Sequence, residues 1–177
     1  MADMVQKGSI DPLVRTVTIQ VIRAAGCGDR DDDCELNAVY DAVKHGSPSV
    51  PALANGFLYV NDPRYADYFT AAPDSLKACL KGACGGDCDD ASILIGSMLA
   101  SVGWRVGMRG WGPPDGEGMI HVYPVVAYPK RGNPEAANGL SGVPMYSRAV
   151  ALDVTVHEAY VGWEPPETPN TLSAWIE

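Results

Sequence analysis

The sequence predicts an α+β fold in which a helical N-terminal half precedes an antiparallel β-sheet. Three observations carry this prediction. Apolar residues recur at helical spacing in several segments before residue 81. After residue 103, short segments alternate between large apolar and polar side chains. Between these parts, residues 91–104 contain no charged side chain, and a helix that is apolar on nearly all sides is surrounded by other elements. We therefore expect a buried helix packed on the sheet.

Composition and charge narrow the class of protein. The chain has 177 residues, 46% of them hydrophobic, and a formal net charge of −9, which suits a single domain spanning 1–177. The acidic charge argues against nucleic-acid and membrane partners, because both favour a basic patch. No apolar segment reaches the roughly 20 residues that cross a bilayer, and residues 1–10 lack a signal-peptide pattern. Five cysteines leave at least one unpaired, so we expect a cytoplasmic protein in a reducing compartment.

Two amphipathic helices are expected in the first part of the chain. The N-terminal residues before them are expected to be mobile. Apolar residues over 13–22 fit either a helix or a strand, but Ser9 or Asp11 ahead of Pro12 resembles a helix start and favours the helix. Apolar residues at spacings of three and four predict a second amphipathic helix over 35–45.

Shorter elements and loops lie around these helices. The loop over 27–34 has a cysteine at each end, and this pair would form a disulfide if oxidised. The apolar run over 57–60 is either a short strand or an extended segment lying on the core. Aromatic residues over 65–69 follow at helical spacing, and a further helix is predicted over 73–80.

The segment that follows brings a cysteine to the first turn of the buried helix. The glycines at 85–86 allow a close backbone approach, Asp87 is a suitable N-cap, and Gly103 is the expected C-terminal stop. A helix N-terminus favours the thiolate form of a cysteine, which is its nucleophilic form. Cys88 is therefore a candidate nucleophile, and the small residues at 91–92 on its face would leave room for a substrate. The alternative is a buried structural cysteine.

The second half of the chain is predicted to form the sheet. Pro124 lacks a backbone donor, which indicates an edge or bulge position in its strand. A loop rich in glycine and proline over 129–145 is expected at the surface. The proline-rich C-terminal tail is expected to be irregular and to fold back on the surface. The predicted strands are 104–109, 119–128 and 149–155.

One histidine and one aspartate on these strands complete a possible catalytic group. His121 lies near the start of the second strand and Asp153 lies on the third. If the two strands pair antiparallel, both side chains become lateral neighbours, and the Cys88 helix brings the thiol to the imidazole. A nucleophile, a base and a group that orients the base are what covalent acyl transfer needs. His157, four residues past Asp153, is a rival base.

The order of these motifs resembles the transglutaminase-like superfamily of papain-fold thiol enzymes. The lead-in over 59–86 and the helix-turn-strand over 97–106 are also similar to those of bacterial and phage members, and the resemblance covers about 57–155. The motifs that carry it are Gly-Asp-Cys-Asp-Asp at 86–90, His-Val-Tyr at 121–123 and Leu-Asp-Val-Thr at 152–155.

This resemblance implies a papain-like transglutaminase core and acyl transfer on a carboxamide from a peptide bond or a glutamine side chain. Cys88 would attack the carbonyl carbon, His121 would carry the proton, and Asp153 would orient His121. Hydrolysis, as in a protease, amidase or deamidase, is favoured over cross-linking to an amine. The expected partner is a protein or peptide substrate, with no cofactor and no metal. The long interval between His121 and Asp153 departs from the family, because the insertion over 129–147 lengthens it.

Two functions of other classes stay open. The first is a catalytically silent scaffold or binding protein of the same superfamily, associated with a phage particle. The second is a zinc site formed by Cys79, Cys84 and Cys88, although their spacings do not form the usual paired Cys-x-x-Cys motifs.

Overall fold

The architecture combines helices and sheets, as the sequence predicts. A computed structural model describes residues 1–63, 68–116, 118–130 and 148–176. The described residues form five α-helices, a two-stranded sheet and a four-stranded sheet. The helices are α1 (Ala2–Ser9), α2 (Pro12–Ala24), α3 (Asp32–Lys44), α4 (Ala72–Leu80) and α5 (Cys88–Ser101), and the strands are β1 (Leu58–Tyr59), β2 (Gly85–Gly86), β3 (Val106–Trp111), β4 (His121–Tyr128), β5 (Arg148–Ala151) and β6 (Leu172–Trp175).

Local capping explains where α2 and α3 begin. The Asp11 carboxylate accepts from the backbone N–H groups of Leu13 and Val14, and Pro12 occupies the first turn of α2. Asp31 caps α3 in the same way by accepting from the N–H of Cys34. The structure confirms the helices predicted over 13–22, 35–45 and 73–80 to within a few residues.

The N-terminal segment was expected to be mobile, and this expectation is wrong. Residues 2–9 form α1, which packs against α5. Val5 is completely buried, and a Cβ atom on Gly8 would collide with the Ser97 side chain of α5. Val5 and Gly8 are three residues apart and therefore share one face of α1, which holds the helix on the core.

Helix α5 lies at the centre of the molecule, as its lack of charge predicts. It contacts the other four helices and strands β3 and β4, and most of its residues are buried. Gly103 follows it with a φ of +94°, a conformation that suits glycine after a helix end. Its fully buried side chains include Ile93, Leu94, Ile95, Met98 and Leu99.

The larger sheet has the strand order β5-β4-β3-β6, with antiparallel neighbours throughout. The edge position inferred from Pro124 is wrong, because β4 lies between β5 and β3. Pro124 is tolerated where pairing with β5 ends, since the last pair is Val125 with Ala151. There the Pro124 carbonyl accepts from the N–H of Leu152 at 3.0 Å, so no donor is needed from the proline.

Two further details of the sheet differ from the sequence prediction. The tail expected to be irregular contains β6, which pairs with β3 through residues such as Leu172 opposite Gly110. The third predicted strand, 149–155, is shorter and ends at Ala151. Asp153 therefore lies in the turn after β5, where its own side chain hydrogen-bonds the next residues.

The run over 57–60 forms β1, which pairs in parallel with β2. Leu58 and Tyr59, which form it, are exposed, whereas Phe57 is partly buried against the core, so the run combines a short strand with one residue that lies on the core. The aromatic spacing predicted at Tyr65 and most of the loop predicted over 129–145 lie outside the described residues. No helix in the described ranges combines the length and apolar character that crossing a membrane requires.

All five cysteines lie in described residues, and four of them are paired. Cys27 pairs with Cys34, and Cys79 pairs with Cys84, which leaves Cys88 as the free cysteine. Disulfides persist mainly in oxidising environments. The expected reducing, cytoplasmic location stays a prediction, and this pairing weighs against it.

Candidate active site

Cys88 occupies the first position of α5, where the sequence places it. The Asp87 carboxylate accepts from the backbone N–H groups of Asp89 at 3.1 Å and Asp90 at 3.5 Å. This cap satisfies two of the open donors of the first turn and leaves the N–H of Cys88 beside its own sulfur. The thiol is partly exposed, so a reagent from solution reaches it.

The two glycines before Asp87 are required by close packing. A Cβ atom on Gly85 would lie 2.6 Å from the Leu58 carbonyl oxygen, and one on Gly86 would collide with the Asp90 side chain. Asp90 is buried and accepts from the N–H of Thr70 at 2.6 Å, while burial raises its pKa. The approach to Cys88 is thus held between β1 and the buried Asp90 carboxylate.

One group of carboxylates in the described ranges is close enough together to hold a metal ion. It consists of Asp87, Asp89 and Asp90, whose oxygens lie within 4.8 Å of one another. Asp87 caps α5 and Asp90 binds the Thr70 backbone. These two carboxylates therefore already serve the fold, and the cluster by itself does not indicate a metal site.

Asp153 and His121 are in direct contact, although 32 residues separate them. The Asp153 Oδ2 atom lies 2.6 Å from His121 Nε2, and the Asp153 side chain is only 1% exposed. Its other oxygen, Oδ1, accepts from the N–H and the hydroxyl of Thr155 and from the N–H of Val156. The turn after β5 therefore fixes one carboxylate oxygen and directs the other at the imidazole.

His121 and Cys88 line the same cleft, and the sulfur is close enough to the ring to affect its titration. Burial alone would lower the pKa of His121, but hydrogen bonds from the ring to Asp153 and to the Cys88 sulfur outweigh it and raise this pKa to about 9. Burial acts to raise the pKa of Asp153, yet His121 and Thr155 prevail and hold it below its usual value. Since Asp153 engages Nε2, Nδ1 is the ring nitrogen left for the thiol.

These shifts predict a pH window for the contribution of the pair to stability. The pKa of His121 is raised from 6.5 to about 9, so its stabilisation is complete below about pH 6.5 and lost as the pH rises through 9. The pKa of Asp153 is lowered from 3.8, so its stabilisation is complete above that pH and lost below it.

We expect His121→Gln to lower the free energy of unfolding by about 1–3 kcal/mol more at pH 5.5 than at pH 9.5. Urea denaturation of both proteins measures this difference, and an equal loss at both pH values would contradict it.

Ser92 connects the cysteine helix to the histidine strand. Its hydroxyl lies 2.6 Å from the Cys88 carbonyl oxygen and 3.1 Å from the Val122 carbonyl oxygen, and the residue is buried. Ser92 and Ala91 were expected to leave room for a substrate, and this expectation is wrong because both are buried in the core. Ser92 instead holds the first turn of α5 against the strand residue next to His121.

Helix α3 supports the Asp153 turn from the other side. The Tyr40 hydroxyl donates to the Asp153 carbonyl oxygen at 2.9 Å. The Lys44 ammonium donates to the Tyr40 hydroxyl at 3.0 Å, to the Val156 carbonyl oxygen at 2.8 Å and to the Ala159 carbonyl oxygen. One network of hydrogen bonds, buried at Tyr40 and partly buried at Lys44, therefore ties the turn that carries Asp153 to α3.

We expect Tyr40→Phe to lower the free energy of unfolding by about 1–2 kcal/mol, because it leaves the buried Asp153 carbonyl without this donor. Tyr160→Phe is the matched control, since Tyr160 is exposed and should change stability by less than about 0.5 kcal/mol. Urea denaturation of the two variants measures the difference. Equal stability of the two variants would show that the Tyr40 contact contributes nothing.

A cleft of about 710 Å³ opens over the thiol and the imidazole. Carboxylate side chains are present on the cysteine side, at Asp87 and Asp89. Large apolar side chains line much of the rest, namely Phe69, Met108, Met119, Ile120 and Leu172. The volume lies within the range typical of ligand sites.

The structure supports neither the rival base His157 nor the zinc site that the sequence left open. His157 is exposed and is not part of the lining of this cleft, so the structure does not bring it to Cys88. Cys79 and Cys84 bind each other, and disulfide sulfurs are not thiolate ligands, so the zinc site with Cys88 is wrong.

The supporting residues were missed from sequence, although some left a signal. Asp153 followed by Thr155 is a pattern that forms local side-chain turns, and Tyr40 and Lys44 are one helical turn apart. Ser92 gave no signal, because a small residue on a buried helix is usual.

Comparison with known protein families, curated proteins and solved structures finds no match to this chain.

Proposed function

We propose that the protein is a cysteine-dependent acyl-transfer enzyme that hydrolyses a carboxamide through a thioester on Cys88. The observation that carries this proposal is the 2.6 Å pairing of His121 with the buried Asp153 carboxylate in the same cleft as Cys88, the free and partly exposed cysteine. Catalytic nucleophiles are recognised by such geometry, in which a base contacts the nucleophile and a third group orients the base. The cleft above them gives a carbonyl group access to the sulfur.

The reaction proceeds in two halves. The thiol proton of Cys88 passes to His121, and the sulfur forms a bond to the carbonyl carbon of the substrate. The carbon–nitrogen bond then breaks, and the amine leaves with the proton from His121. In the second half, His121 takes a proton from water, the hydroxide attacks the thioester, and the acid leaves as the thiol of Cys88 is restored.

The oxygen of the tetrahedral intermediate needs donors as its charge develops. The backbone N–H of Cys88 is one such donor, because Asp87 caps Asp89 and Asp90 and not Cys88. The N-terminal end of α5 adds a favourable dipole for the same oxygen.

The transglutaminase-like, papain-type core stays part of the proposal. The nucleophile at the start of a buried helix and the histidine on an adjacent antiparallel strand support it. Water is the acyl acceptor that we propose, so peptides and amides are the expected substrates.

A library of short peptide amides tests the proposal. We expect an acid quench during turnover to trap an acyl-enzyme, whose intact mass exceeds that of the protein by the acyl group and whose peptide map places the adduct at Cys88. Turnover with an adduct at another residue would contradict the mechanism. Failure of every library member, with Cys88 no more reactive than in the unfolded chain, would favour the silent scaffold instead.

A further inference from the structure

Part of the cleft lining is apolar although it faces solvent. Phe69, Met119, Ile120 and Leu172 are all large, exposed hydrophobic residues, and all four border the cleft that contains Cys88 and His121. Exposed large apolar side chains that cluster at one place usually mark a binding surface. This cluster, which we call the apolar wall, adjoins the reacting groups.

Three residues of the apolar wall, Met119, Ile120 and Leu172, lie on the sheet or directly before β4. Gly110 on β3 pairs with Val122 on β4 and with Leu172 on β6. A Cβ atom on Gly110 would collide with the Met119 sulfur, so the absence of a side chain there lets Met119 lie over the strand. The N–H of Ile120 donates to the Trp111 carbonyl oxygen at 2.9 Å, which ties the segment just before His121 to β3.

None of the four side chains of the apolar wall is charged. The ionisable side chains that line the cleft, in the part of the chain that the structure describes, are Asp87, Asp89, Cys88 and His121. A carboxylate placed against the apolar wall would lose its water without gaining a polar partner there, which is unfavourable. An apolar side chain would bury its surface and that of the apolar wall together, which is favourable.

We propose that the apolar wall binds a large apolar side chain of the acyl donor, on the residue whose carbonyl Cys88 attacks. This inference rests on the proposed function and names its substrate class: peptides or amides that present leucine, methionine or phenylalanine at that residue. A glutamate in the same place is disfavoured. Pockets of this kind discriminate by roughly 10- to 200-fold for small changes in apolar bulk.

Chloromethyl ketones test this selectivity, because the sulfur displaces chloride from a group attached to the carbonyl of the probed residue. The probes are acetyl-leucine chloromethyl ketone, acetyl-glutamate chloromethyl ketone and chloroacetone, which carries no side chain. We expect the second-order rate constant at Cys88 to be at least about tenfold higher for the leucine probe than for the glutamate probe. The same ratio in the urea-unfolded protein supplies the intrinsic difference between the reagents.

Leu172→Ser is expected to reduce the leucine-to-glutamate ratio at least about threefold. Leu80→Ser is the matched control, because Leu80 is 53% exposed, similar to the 62% of Leu172, but lies outside the cleft. Ile120→Ser provides a second test should Leu172→Ser disturb β6, which an unfolding curve detects. A folded Ile120→Ser or Leu172→Ser variant that keeps the full ratio overturns the inference.

The two proposals fail in different ways. If Cys88 reacts faster with chloroacetone in the native than in the unfolded protein, while the leucine probe has no advantage over the glutamate probe, the apolar substrate class is wrong and the activated thiol stands. If chloroacetone reacts with Cys88 no faster in the native than in the unfolded protein, the proposed function is wrong, and so is the substrate class that rests on it.

Discussion

Replacing Cys88 by alanine is expected to lower amide hydrolysis by at least about 10³-fold, because it removes the thiol that the proposed mechanism uses as nucleophile. The change removes one partly exposed sulfur. It leaves the Asp87 cap on the backbone of Asp89 and Asp90 in place. We therefore expect α5 and the fold to persist, and the loss to lie in kcat.

The assay uses the best substrate from the peptide library and compares kcat with the free energy of unfolding of the same variant. Ser92→Ala serves as the comparison, because it disturbs the same turn of α5 while the thiol remains, and it should retain measurable turnover. A folded Cys88→Ala variant with kcat within tenfold of the unaltered protein would rule out thioester catalysis at this residue.

Asp153→Asn is expected to lower kcat by about 10²- to 10⁴-fold with little change in the fold. The Oδ1 atom accepts from three donors, two on Thr155 and one on Val156. An asparagine must keep its carbonyl oxygen there and therefore turns its NH₂ group toward His121 Nε2. The ring then has to accept at Nε2 and carry its proton on Nδ1, which is the wrong tautomer to receive a proton from Cys88.

The pH dependence separates this effect from a structural one. Loss of the Asp153 charge should lower the pKa of His121 from about 9 toward its ordinary value, and the pH profile of kcat/KM should move with it. Asp29→Asn is the control, because Asp29 is exposed in the loop before α3 and should leave the profile unchanged. An unshifted profile in Asp153→Asn would mean that the carboxylate does not act through His121.

The elements that sequence patterns predicted are those whose signals are local. Asp11 with Pro12 marks the start of α2, and the uncharged segment 91–104 marks the buried helix. Helix α1 and strand β6 were missed because their partners are distant in sequence. Helix α1 is held by its packing against α5, where Gly8 leaves room for the Ser97 side chain. Strand β6 gains its hydrogen bonds from β3, more than 60 residues earlier.

The same distinction applies to the site. The positions of Cys88 and His121 followed from their helix and strand, whereas Asp153 was expected on a strand and reaches His121 from the turn after β5. The groups that hold them could not be inferred, because Tyr40 reaches Asp153 across 113 residues and Ser92 reaches Val122 across 30. The apolar wall likewise depends on Gly110 lying beneath Met119, a contact that no spacing in the sequence indicates.

The central claim is that His121 activates the thiol of Cys88, and alkylation by iodoacetamide at pH 6.5 tests it most directly. With the other four cysteines in disulfides, Cys88 is the site that reacts when no reductant is present. We predict that native Cys88 reacts at least tenfold faster than Cys88 in the urea-unfolded chain with its disulfides intact, and that His121→Gln abolishes the difference. A native rate equal to or below the unfolded rate would contradict the claim.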